Sequence, residues 1–160
     1  MSTVKGILIG AGAVLGVEAL LNLPQAAAIT NCSKYSAIGT DFGILSIPEF
    51  PASFKRNGTT VGIFMRLDTG SDITFVPRMI ADALGVNLRS GTPIQIRSID
   101  GISTAYVHSL DLLFGSVVIP SLPVAISERD DVPFLLGCLG LLDRTNVSLN
   151  GRNQSMCVEG

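Results

Sequence analysis

The chain has 160 residues, 47% of them hydrophobic and 15% charged, which suggests one domain that is richer in apolar residues than an average soluble protein. The formal net charge of −2 excludes the basic surface that nucleic-acid binding requires, and the absence of Trp argues against a stacking platform for bases or sugars. Seventeen glycines and eight prolines indicate many turns and short elements, which favours a β-rich fold.

The first 28 residues differ in composition from the rest of the chain. Lys5 precedes an apolar block over residues 6–17, and three alanines follow a proline at the end of the segment. These are the parts of a secretory signal peptide with cleavage after Ala28, and glycine pairs within the block would also suit a membrane helix pair. Glu18 interrupts the block before it reaches the roughly 20 apolar residues of a clean membrane span. We therefore expect residues 1–28 to direct export or membrane anchoring; if they form only a hydrophobic helix packed on the domain, the protein is cytoplasmic.

Residues 29–44 are predicted to be a connector, and residues 45–160 a domain of short strands. Four hairpins are predicted from glycine-containing turns at 57–58, 100–101, 115–116 and 150–151. A short helix is predicted over residues 76–86, with Pro77 in its first turn and Gly85 at its C-terminal end. A second short helical run is predicted after Gly137. Eight to ten short strands with two short helices indicate an all-β, barrel-like domain.

The cysteines and the one histidine limit the chemistry that the chain can perform. Cys32, Cys138 and Cys157 are an odd number without a CxxC spacing, which fits neither a zinc site nor a disulfide framework. Cys138 is predicted to be a buried thiol. Cys32 and Cys157 could pair in an oxidising compartment, which is the less favoured alternative. His108 is interpreted as a strand residue, so a histidine-dependent hydrolase and a multi-histidine metal site are disfavoured, and no cofactor is expected.

The stretch "FMRLDTGSDITFVP" places Asp68, Thr69 and Gly70 at the end of an apolar strand. Gly70 would let the backbone turn tightly, and the Thr69 hydroxyl can both donate and accept a hydrogen bond. Two carboxylates that share one proton can activate water at an amide, because each perturbs the pKa of the other, whereas one carboxylate alone does so poorly. An isolated Asp-Thr-Gly could also be an ordinary turn, so its context decides between the two interpretations.

The chain from about Ile47 to Val158 resembles a retropepsin, the single-domain aspartic protease of retroviruses, retrotransposons and related cellular and bacterial proteins. Three segments carry the resemblance in the family's order: "RLDTGSDITFVP" as the catalytic strand and loop, "IRSIDGIST" as the flap, and "PFLLGCLGLLDR" as the second signature. The resemblance implies an all-β closed barrel of short strands, with a flap hairpin and one or two short helices.

The resemblance also implies roles for the residues of the first motif. Asp68 corresponds to the catalytic aspartate, Thr69 to the residue whose hydroxyl braces the two catalytic loops of a dimer, and Gly70 to the end of the loop. Ser71 is expected in the substrate-binding part of the site, where its hydroxyl could hydrogen-bond a carboxylate and favour the charged form. Arg66 departs from the family pattern, which is usually apolar there, so it must point outward or meet a charge.

The other two motifs imply a flap and a support for the catalytic loop. Ile99, Asp100 and Gly101 correspond to the flap tip that closes over a bound peptide. The segment 135–137 corresponds to the support behind the loop. The following Cys-Leu-Gly-Leu-Leu lacks the polar residue that many relatives have near the start of the helix, which leaves the packing of that helix open.

The chain contains no second Asp-Thr-Gly or Asp-Ser-Gly. A two-lobed pepsin needs both motifs in one chain, so the resemblance implies that the second carboxylate is Asp68 of another copy, placed by a two-fold axis. We therefore expect a homodimeric aspartic endopeptidase acting on peptide or protein substrates. The alternatives are a catalytically silent dimerisation or peptide-binding module tethered to a membrane, and a protease excised from a longer polyprotein.

Overall fold

The computed structural model describes residues 30–98 and 101–160. The predicted leader, residues 1–28, lies outside the described residues, and its role stays a prediction. Within the described ranges, no helix has the length and apolar composition that crossing a bilayer requires.

Within these ranges the chain forms twelve strands and two short helices. They are β1 (Thr30–Lys34), β2 (Ser36–Thr40), β3 (Gly43–Ile47), β4 (Glu49–Arg56), β5 (Thr59–Leu67), β6 (Thr74–Val76), α1 (Met79–Ala83), a 3₁₀ helix (Leu88–Ser90), β7 (Thr92–Ser98), β8 (Gly101–Phe114), β9 (Val117–Ser127), β10 (Leu135–Leu136), β11 (Asn146–Asn150) and β12 (Ser155–Glu159).

A closed barrel forms the centre of the fold. Its strands follow each other in the order β4, β5, β10, β6, β9 and β8, and the ring closes where β8 pairs again with β4. Side chains alternate between the interior and solvent along β4, so that Phe50, Ala52 and Phe54 are buried. At the closure Phe54 lies opposite Leu112, which is also buried. The predicted all-β barrel is therefore confirmed.

The turn signals in the sequence predict several elements correctly. Asn57 and Gly58, both with positive φ, connect β4 to β5, as a two-residue hairpin requires. Gly85 takes φ +64° just after α1, although the helix is shorter than the predicted 76–86. The helical run predicted after Gly137 is wrong: residues 140–144 form turns, because Gly140 adopts a left-handed φ of +78° that a helix cannot continue through.

His108 lies in a strand, β8, as predicted, and it is buried there. Its Nε2 donates to the Leu88 carbonyl at 2.8 Å, and Arg56 lies 3.4 Å from its Nδ1. The ring therefore fastens the 3₁₀ helix to the barrel.

Strands also form within residues 29–44, the segment predicted to be a connector. β1 pairs with β12, which in turn pairs with β11, in a three-stranded sheet outside the barrel. Cys32 lies directly opposite Cys157 in this register, and the two form a disulfide, which is the alternative that the sequence disfavoured. The pairing partner of β1 is 125 residues away in sequence, so local patterns near β1 could not indicate it.

The disulfide should contribute strongly to stability, because it closes a loop that spans most of the chain. We expect Cys157→Ser to lower the free energy of unfolding by about 2–5 kcal/mol, measured by urea denaturation. A thiol reductant should lower the urea midpoint of the unsubstituted protein and of the Cys138→Ser control, which keeps the bridge. A midpoint of the unsubstituted protein that does not respond to the reductant would contradict the pairing.

Candidate active site

The position of Asp68 is set by β10, which lies between β5 and β6. Leu136 of β10 runs parallel to Leu67, the last residue of β5, while Leu135 pairs antiparallel with Phe75 of β6. The hydrogen bonding between β5 and β10 extends one residue beyond the end of β5, since the amide of Asp68 donates to the Leu136 carbonyl at 3.0 Å. Asp68 thus begins its loop with its backbone still attached to the centre of the barrel sheet.

The loop that follows folds back on Asp68. The amide of Gly70 donates to Asp68 Oδ1 at 2.9 Å, and the amide of Ser71 donates to the Asp68 carbonyl at 3.1 Å. A backbone donor on Oδ1 fixes the orientation of the carboxylate. Asp68 is half-buried, whereas Thr69 and Gly70 are exposed. The loop therefore holds its carboxylate at the surface of one copy of the chain.

Ser71 makes a different contact from the expected one. Its Oγ donates to the backbone carbonyl of Ile73 at 2.8 Å, rather than to a carboxylate. The hydroxyl of a serine readily reaches a backbone group two residues away, which explains this local hydrogen bond. Ser71 therefore shapes the outgoing end of the loop.

The segment directly after β10 is hydrogen-bonded to the loop that follows Asp68. The amide of Cys138 donates to the Ser71 carbonyl at 2.9 Å, and the amide of Leu139 donates to the Asp72 carbonyl at 2.8 Å. Cys138 is a free thiol, only half-buried, and its Sγ lies 3.5 Å from the Thr69 carbonyl. This contact with the Asp68 loop could not be inferred from the sequence, which indicated only a buried thiol.

Gly137 is a point of very close backbone approach. Its amide faces the hydroxyl of the fully buried Thr74 at 3.3 Å, and a Cβ at this position would meet the Ile73 carbonyl group and lie 2.7 Å from the Thr74 amide nitrogen. No side chain fits there without moving the backbone that leads out of the catalytic loop. The sequence did not indicate this role of Thr74, because threonine is common in β-strands.

The predicted flap is the β7–β8 hairpin. Ser98 and Gly101 are the last paired residues before its tip, and Gly101 has φ +116°. Ile99 and Asp100 lie outside the described residues, so their role at the flap tip stays a prediction.

A small apolar cluster connects the base of the flap to the catalytic loop. We call it the flap-base cluster; it consists of the buried Phe75, Ala105 and Ala125 and the partly buried Ile73, Ile94, Ile96, Val107, Val132 and Leu135. Its members come from the five strands β6 to β10, from Ile73 in the loop after Asp68, and from Val132 between β9 and β10. The flap and the Asp68 loop therefore share one packed base.

Arg66 meets a charge. Its Nη2 donates to Glu49 Oε1 at 3.1 Å, across the β4–β5 pair in which these two residues lie directly opposite each other. The pair is partly exposed, so its net contribution to stability is small, about 0–1 kcal/mol. The pair also joins the first residue of β4 to β5, the strand that leads to Asp68.

A groove of about 570 Å³ lies elsewhere, between β1 and the β4–β5 hairpin. Phe50, Ile63, Phe64 and Phe114 are among its lining residues, and Asp68 is not. Asp68 is half-buried in one copy of the chain, and Thr69 and Gly70 are exposed.

The fold and this loop define a single-lobed acid-protease domain with one Asp-Thr-Gly. The sequence model of the aspartyl protease family matches residues 51–140, more than half of the chain. The chain therefore belongs to the aspartyl protease family.

Comparison with solved structures identifies a similar fold. A retropepsin-like aspartic protease from Rickettsia conorii matches with a TM-score of 0.55 and 16% identity, over 86% of this chain and 97% of that chain. A search of curated protein sequences gave no match. The fold is thus retropepsin-like, as the sequence motifs predicted.

The lack of space at Gly137 gives a direct test of the loop support. We expect Gly137→Ala to destabilise the fold by about 3 kcal/mol, because overpacking here must displace the backbone of residues 73–74. Thermal or urea unfolding measures this loss. Gly62→Ala is the matched control, since its new Cβ would have only Ser53 Oγ nearby, at 3.8 Å, and the change should cost less than about 1 kcal/mol. Equal stability losses in both variants would contradict the close approach at Gly137.

Proposed function

We propose that this protein is an aspartic endopeptidase that is active as a homodimer. The observation that supports this most directly is the Asp68 loop: its carboxylate is oriented by the Gly70 amide, its Thr69 is exposed, and the chain carries one such loop only. A two-fold axis beside the loop would bring two Asp68 carboxylates together and would cover both Thr69 residues.

The two carboxylates would bind one water molecule between them. Because two like charges at close distance resist simultaneous ionisation, the pair would hold one proton. The ionised Asp68 would take a proton from the water as the oxygen attacks the scissile carbonyl. The protonated Asp68 of the other copy would donate its proton to the developing oxyanion, so that protons balance through the formation of the tetrahedral intermediate. Each Thr69 hydroxyl would bond to the opposite loop and fix the separation of the carboxylates.

The substrate would be an extended segment of a peptide or protein. The β7–β8 flap offers backbone donors and acceptors to an added strand, with Gly101 and the predicted tip residues Ile99 and Asp100 closing over it. The partly buried members of the flap-base cluster, such as Ile73 and Ile96, would favour apolar side chains next to the scissile bond. Ser71 would contribute through the shape of the loop.

An oxidising compartment is the environment that suits this chain. The Cys32–Cys157 disulfide supports it, since such bridges persist mainly in exported proteins. Export or membrane association would be directed by residues 1–28. The alternative function, a catalytically silent binding module, has less support because such a module has no chemical need for an intact Asp-Thr-Gly.

Asp68→Asn tests the catalytic assignment. We expect the substitution to lower kcat/KM on a peptide library by at least about 10³-fold, because the amide cannot serve as base or acid. Fold and assembly should stay intact, as measured by circular dichroism and sedimentation velocity. Asp143→Asn, which changes an exposed aspartate in the turn after β10, is the matched control and should keep full activity.

A statine-type transition-state mimic should block the cleavage by the unsubstituted protein. Cleavage by Asp68→Asn at the unsubstituted rate would overturn the assignment. No cleavage by any form would favour the silent module.

A further inference from the structure

The hairpin of β2 and β3 carries an unusual set of exposed apolar side chains. Phe42 at its turn is fully exposed, Ile44 is 82% exposed and Leu45 is 55% exposed, and Ile38 is also exposed. In the described part of the chain, β2 and β3 pair only with each other. An isolated two-stranded hairpin is marginally stable in water, and clustered exposed apolar residues mark interaction surfaces. We therefore expect the exposed apolar side chains of this hairpin, residues 36–47, to contact another surface.

The base of the hairpin is hydrogen-bonded to β5, the strand that ends one residue before Asp68. Immediately after β3, the carbonyl of Pro48 accepts a hydrogen bond from the amide of Leu67 at 3.0 Å, one residue before Asp68. The next residue, Glu49, forms the ion pair with Arg66. On the proposed function, Asp68 lies beside the two-fold axis of a dimer, so the base of the hairpin lies near that axis as well.

The composition of the hairpin favours a protein surface as its cover. Asp41 is its one charged residue, and it contains no Lys or Arg that could bind anionic lipid headgroups. Ile38 and Leu45 lie opposite each other and share one face, whereas Ile44 lies on the other face. Insertion of the tip into a bilayer would carry Asp41 with Phe42 into an apolar medium, which is costly.

We propose that the β2–β3 hairpin is a dimerisation arm, which buries Phe42 and Ile44 against a second copy of this chain. The inference rests on the proposed function, because that function supplies the two-fold axis beside Asp68. The Glu49–Arg66 pair and the Pro48–Leu67 bond link the arm to the catalytic strand. Closure of the arm on the second copy therefore supports the alignment of the two Asp68 loops.

Sedimentation velocity on the full chain over a range of concentrations tests the arm. We expect the double variant Phe42→Ser with Ile44→Ser to raise the dimer dissociation constant at least about ten-fold, since it removes two large apolar contacts. Ile44→Glu alone should have the same direction of effect, because it introduces a charge at a buried contact. Val118→Ser, which removes an exposed apolar side chain from β9, is the control and should leave the constant within about two-fold.

The urea midpoint of the monomer should be unchanged in the arm variants, because the substituted side chains are exposed in one copy. Arm variants that dimerise like the unsubstituted chain, while that chain cleaves peptides, would overturn the arm and leave the proposed function intact. A chain that stays monomeric at every concentration would overturn both. If the arm variants dimerise normally but lose binding to phosphatidylcholine–phosphatidylglycerol vesicles, the hairpin contacts a membrane and the dimerisation arm is overturned.

Discussion

The two-residue strand β10 lies between β5 and β6 and holds both ends of the Asp68 loop. Leu135 and Leu136, the two residues of β10, pair in parallel with the strand before Asp68. Leu135 also pairs antiparallel with the strand after the loop, so one short segment holds both ends of the loop. The close approach that this requires leaves no space for a side chain at Gly137. The same segment continues into Cys138, whose amide and thiol both contact the loop. A barrel strand of two residues thus fixes one carboxylate at the surface more firmly than the exposed loop could do alone.

A carboxylate fixed in this way is still only half of the chemistry that an aspartic protease performs. The energetic reason is that the base and the acid must differ in protonation while lying close together, and two copies of one residue achieve this by sharing a proton. The features around Asp68 fit a surface that receives a second copy: Thr69 is exposed, and the apolar β2–β3 hairpin begins from the backbone next to Leu67. On this account the catalytic centre and the dimer contact are parts of one surface, and the Arg66–Glu49 pair joins them.

Local patterns in the sequence predicted those parts of the fold that local physics determines. Asn57 and Gly58 favour positive φ, so the β4–β5 hairpin could be placed, and the apolar run before Asp68 indicated the strand that leads to it. Contacts between distant segments could not be read in this way. The pairing of Cys32 with Cys157 depends on a register between strands 125 residues apart. The run after Gly137 has a helical composition, but Gly140 and the backbone contacts to the catalytic loop impose turns.

Mixing of subunits tests whether Asp68 residues from two copies form one site. The unsubstituted chain is allowed to exchange subunits with Asp68→Asn chain at constant total concentration, and peptide cleavage is followed. If both carboxylates are needed, activity at equal amounts falls to about one quarter of the unmixed value, since only that share of random dimers carries two aspartates. Activity that falls in proportion to the unsubstituted chain, to about one half, would show that each copy acts alone and would contradict the account.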